Sequence, residues 1–145
     1  MKKKLIVMLA LLCIPTTSLL AVAGDFDGSK PLLCTVVEVT ECIMGEACKE
    51  VSAEEVNLPR YLWINVGKKT IQSKKKSNDS RKSKIERVKQ IDSKLIIQGA
   101  EQGREDVRDG FGWTIAIMED TGQMVLTASG DLVGDVAFGV CTPYE

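Results

Sequence analysis

From Pro31 onward, apolar and polar side chains alternate in short runs separated by turn residues, the pattern of an all-β domain. It predicts strands over Leu32–Glu41, Ala47–Ala53, Tyr61–Val66, Lys69–Ser73 and Ile85–Gln90. Four more follow at Lys94–Ala100, Gly112–Glu119, Gln123–Ser129 and Asp135–Cys141. Turn residues separate them at Val66-Gly67-Lys68, Asp92-Ser93, Asp120-Thr121-Gly122 and Gly130 to Gly134, and Asn57-Leu58-Pro59 breaks the chain before the third strand. Short sequential connections favour an antiparallel up-and-down meander of about eight or nine strands, closed or nearly closed into a barrel.

The last three strands carry the sharpest expectation. Asp120-Thr121-Gly122 reads as a three-residue hairpin loop with glycine at the positive-φ position. That register pairs Met118 with Met124, Ala116 with Leu126 and Thr114 with Ala128. A five-residue loop from Gly130 to Gly134 then pairs Leu126 with Phe138 and Met124 with Val140. The even-numbered face becomes the core. On the opposite face, Trp113, Ile115, Ile117 and Val125 form a patch that the core does not need, a candidate partner surface.

Ser83 to Leu95 supports two readings. Ser83-Lys84-Ile85-Glu86 matches a helix capping box, and Ile85, Val88, Ile91 and Leu95 fall near helical spacing. The β-branched content and the central Asp92-Ser93 turn instead favour a strand hairpin.

Ahead of the domain lies a different pattern. Lys2, Lys3 and Lys4 precede the apolar run Leu5 to Pro15, and Ala21-Val22-Ala23 has the small-x-small form of a cleavage site. Residues 1–23 therefore read as a signal peptide, 24–30 as a flexible mature N-terminus, and 31–145 as a single β domain. The expected location is the periplasm or the exterior, with no transmembrane segment after cleavage.

Four cysteines follow the leader: Cys34, Cys42, Cys48 and Cys141. In an exported domain they read as two disulfides. Cys34 and Cys42 on one extended strand would stand roughly 26 Å apart, too far to bond. A hairpin centred on Gly45 sets Cys42 opposite Cys48, which leaves Cys34 for Cys141. The second bridge would staple the first strand to the last, as barrel closure requires.

Charge narrows the partners. The chain has 19 basic and 20 acidic side chains, and cleavage removes three lysines, leaving a net charge of −4. Nothing there favours nucleic acid. A basic loop at 74–84, with Lys74, Lys75, Lys76, Arg81, Lys82 and Lys84, is a candidate contact for an anionic surface. Histidine is absent, which excludes His-based nucleophile activation and His-ligated zinc. No catalytic, cofactor or metal motif stands out, so the expectation is a protein that is not an enzyme and carries no cofactor.

The C-terminal run resembles small exported proteins of Gram-negative bacteria that have no assigned activity. The residues that carry the resemblance are Leu95-Ile96-Ile97-Gln98-Gly99-Ala100-Glu101, Gly112-Trp113, Thr121-Gly122-Gln123-Met124 and Phe138-Gly139-Val140-Cys141-Thr142. It implies strands rather than a helix at 83–95 and supplies no site residues. Two functions remain in view. One is a non-catalytic exported protein binding another envelope macromolecule. The other is a carrier of a small apolar ligand inside a barrel lined by Met118, Met124, Leu126 and Phe138.

Overall fold

The structure, a computed structural model, describes residues 25–73, 82–103, 106–107 and 109–144. The expected leader and residues 74–81 of the basic loop lie outside the described residues. Among the described residues ten strands form: β1 (Leu32–Ile43), β2 (Lys49–Val51), β3 (Tyr61–Asn65), β4 (Thr70–Gln72), β5 (Lys82–Lys84), β6 (Arg87–Ile91), β7 (Lys94–Glu101), β8 (Phe111–Met118), β9 (Gln123–Ser129) and β10 (Val133–Pro143). Among the described residues there is no helix, so the 83–95 region is a strand hairpin.

All pairings are antiparallel, in the order β5-β4-β3-β1-β10-β9-β8-β7-β6, with β2 paired to β1. The sheet curls strongly, and its first and last strands in sequence, β1 and β10, are neighbours. Its two edges, β5 and β6, are successive segments joined only by Ile85 and Glu86. At that joint the Ile85 N–H donates to Lys69 O beside β4 at 3.0 Å, and the Glu86 N–H donates to Gln98 O of β7 at 2.8 Å. One run of chain thus borders both ends of the sheet and draws it toward closure.

Inward side chains form rows from strand to strand. One row is Leu95, Ile117, Met124, Gly139 and Val36, and the next is Ile97, Ile115, Leu126, Ala137 and Val39. Their aliphatic members are buried and form the core together with Leu32, Cys34, Leu62, Ile64 and Ile85. Full burial of each large aliphatic side chain is worth about 1.5–3 kcal/mol. A bulge between Val36 and Glu38 shifts the inward set of β1 from Leu32, Cys34 and Val36 to Val39.

Residues 25–30, expected as a free lead, lie against the Leu95 end of the barrel instead. Phe26 packs on the core and approaches Gly122. Gly28 fits between Val66 and Leu95 with φ +84°, and the Gln90 side-chain amide donates to Asp27 O at 3.0 Å. The Ser29 N–H donates to the Asp27 carboxylate at 2.8 Å, and these Ser29 bonds hold that carboxyl below the ordinary range.

Two expected registers are corrected. The β8–β9 loop has four residues, Glu119 to Gly122, so Ile117 pairs with Met124 and Ile115 with Leu126. The β9–β10 register also moves by one, pairing Ala137 with Leu126. A one-residue slip turns a strand over. β9 keeps its expected inward face, whereas β8 and β10 are reversed: Met118 is half-buried, and Phe138 and Val140 are exposed.

Candidate functional site

The row above the core reads Gly99, Trp113, Ala128, Asp135 and Glu41. Here the aliphatic filling stops, because this row offers a glycine, an alanine and two carboxylates where lower rows offer isoleucine and leucine. A cup-shaped cavity of about 930 Å³ opens at this end. Its apolar wall comes from Leu62, Ile71, Ile115, Leu126 and the Trp113 ring, with Leu58 and Pro59 alongside. Its polar positions include Ser73, Lys82, Ser83, Glu101, Asp109, Asp131 and Asp135.

Four of the polar side chains lining the cup have a buried atom with no hydrogen-bond partner among the described residues: Ser73 Oγ, Glu101 Oε1, Trp113 Nε1 and Asp135 Oδ1. Buried polar groups are nearly always paired, so four orphans around one opening mark it out. Ser73 is 4% exposed and Trp113 is 7% exposed. Burial, reinforced by the neighbouring Glu41 carboxylate, pushes the Asp135 carboxyl above its ordinary range. Glu41 is itself paired outward with Lys49 at 3.1 Å, so that lysine is directed to Glu41.

The sequence-derived candidates separate. Both disulfides are present, Cys34–Cys141 at 2.02 Å and Cys42–Cys48 at 2.01 Å. The first links directly opposed residues of β1 and β10, buried within the barrel. The proposed partner surface at Trp113, Ile115, Ile117 and Val125 is corrected. Trp113, Ile115 and Ile117 point inward and are buried, because the four-residue loop places the odd face of β8 inside. Val125 alone is exposed. Lys82 and Lys84 are exposed on β5, and Lys74, Lys75, Lys76 and Arg81 lie outside the described residues.

A different apolar row covers the outer surface. Phe138 pairs with Val125, Val125 with Ala116 and Ala116 with Ile96. On β1 the row meets Glu38, with Val37, 73% exposed, beside it in the bulge. No family model matches the chain, and no curated protein or solved structure matches it.

Proposed function

We propose that this is an exported, non-catalytic protein that holds a small molecule with an apolar body in the open end of its barrel. The cup carries this reading: its volume lies within the range of small-molecule sites, and its lining combines apolar side chains with a few polar ones. Export is supported by the leader pattern and is compatible with two disulfides, which persist in oxidising compartments such as the periplasm or the exterior. Native mass spectrometry of protein expressed from the full chain tests it. The expected result is a bound mass in the wild type that is lost from Ala128→Trp, which fills the cup. No bound mass, with no uptake of added decanol, would defeat the proposal.

The outer row favours a second reading, contact with an envelope protein through an apolar face. Photo-crosslinking from position 138 would then yield one discrete adduct, and crosslinking from position 72 on β4 none. Equal adducts from both positions would reject this contact.

A further inference from the structure

We infer that the free edge of β6 takes an extended acidic peptide as an added strand, a contact independent of the cup and of the outer apolar row. The first ground is the open edge. β5 pairs with β4, Lys84 opposite Thr70, and the Ile85 N–H then donates to Lys69 O. There the β3–β4 hairpin ends, its turn closed by the Lys69 N–H on Val66 O at 3.0 Å. β6 runs on past that turn, pairs with β7 alone and is exposed at all five residues. Among the described residues no backbone hydrogen bond joins its other edge to a strand. The lead reaches β6 through a side chain, the Gln90 amide on Asp27 O. Unpaired N–H and C=O groups along such an edge are a template for another strand.

The second ground is charge. Lys82, Lys84, Arg87 and Lys89 stand on the outer side of this run, since their partners Gln72, Thr70, Gln98 and Ile96 alternate with the buried Ile71, Leu95 and Ile97. All four are exposed, and none has an ion-pair partner among the described residues. Glu86 is the one acid between them. These cations disfavour a second copy, because antiparallel β6–β6 pairing centred on Lys89 would set Lys89 against Lys89. Acidic side chains on a different chain would instead meet Arg87 and Lys89. The third ground is the inner side. Val88 faces inward opposite Ile97 and is still 41% exposed, with no strand beyond it. Side chains alternate along a strand, so an apolar residue between two acids would cover Val88 while the acids face the cations. The recognised pattern is acid, apolar, acid in an extended chain.

Amide NMR shifts of the purified protein, titrated with three heptapeptides, test this. One alternates glutamate and valine, one alternates lysine and valine, and the third is the glutamate peptide with its backbone fully N-methylated. The glutamate peptide is expected to bind at least about tenfold tighter than either of the others, since two or more backbone hydrogen bonds or two charge pairs are worth that factor. Its shifts should concentrate at residues 87–91. Arg87→Glu with Lys89→Glu, a change at exposed positions checked by a cooperative melt, should reverse the preference toward the lysine peptide. No binding by the wild type, equal binding of the N-methylated peptide, a wild-type preference for lysine, shifts centred elsewhere or an unchanged preference in the double variant would each overturn the inference. Shifts at 87–91 on concentrating the protein without peptide would give the edge to a second copy and overturn it as well.

Discussion

The indole of Trp113 lies over Gly99, its direct partner on β7. A Cβ at position 99 would collide with the ring at Cζ2 and Cε2 and with the Lys84 carbonyl. The glycine therefore makes room for the largest side chain of the cup and lets the β5–β6 joint approach β7. Trp113 in turn ends the aliphatic core and begins the cavity wall.

Gly99→Ala is expected to destabilise the fold by about 1–3 kcal/mol, the usual cost of overpacking. The ring must move into the cup, so Trp emission should shift as well. Denaturant unfolding and fluorescence together check this. An alanine variant of wild-type stability would mean that the indole has free space beside it.

The corrected β8 register makes two neighbouring strands a test. Ile115, 1% exposed, should cost about 2–5 kcal/mol when replaced by alanine. Val125 on the outer face of β9 should cost within about 0.5 kcal/mol when replaced by threonine. The reverse ranking would restore the even face of β8 as core.

The two disulfides should differ in worth. Cys34–Cys141 closes a loop with a separation of 107 residues, Cys42–Cys48 one of 6. In the chain-entropy model the long loop contributes about 4–5 kcal/mol and the short one roughly 2–3. Paired alanine variants at each bridge, compared by guanidinium unfolding, should fall in that order.

Asp135→Asn should stabilise the protein at neutral pH. The Asp135 carboxyl has its pKa raised by burial and by Glu41. The folded state therefore holds the proton more tightly than the unfolded chain, and wild-type stability falls as pH rises from the ordinary carboxylate range through the raised value. The advantage of the asparagine variant should grow across that window and vanish below it. Parallel thermal melts from acidic to neutral pH measure the difference, and a constant offset at every pH would contradict the account.

Much of the framework was legible along the chain. Gly45 centres a hairpin, so the Cys42–Cys48 pairing followed from local symmetry, and Val39 indeed faces Val51. The registers of β8 and β10 did not follow, because the turns answer to distant groups. The Glu119 N–H donates to Ser93 O at the β7 turn, 3.0 Å away, and this draws Glu119 into the loop. The hydrophobic pattern did hold a signal, since Trp113, Ile115 and Ile117 outweigh Thr114, Ala116 and Met118 in apolar bulk. The bulge in β1 reverses its inward set without any glycine or proline to announce it. An apolar interior was expected, with Leu126 in it, but the polar part of the cup was not readable: Ser73, Glu101 and Asp135 lie on separate segments and line one cavity only when the sheet curls.

The Cys34–Cys141 bridge also decides where this wall can give. Its ends sit on adjacent strands, so everything between them is one covalent hoop, and β1 cannot part from β10. Opposite that clamp, the β5–β6 joint is held by two backbone hydrogen bonds and the buried Ile85 side chain, beside a strand exposed along its whole length. A guest too wide for the mouth would enter by parting those two hydrogen bonds, so that β5 and β6 splay about Ile85 and Glu86 while the clasp keeps β1 beside β10.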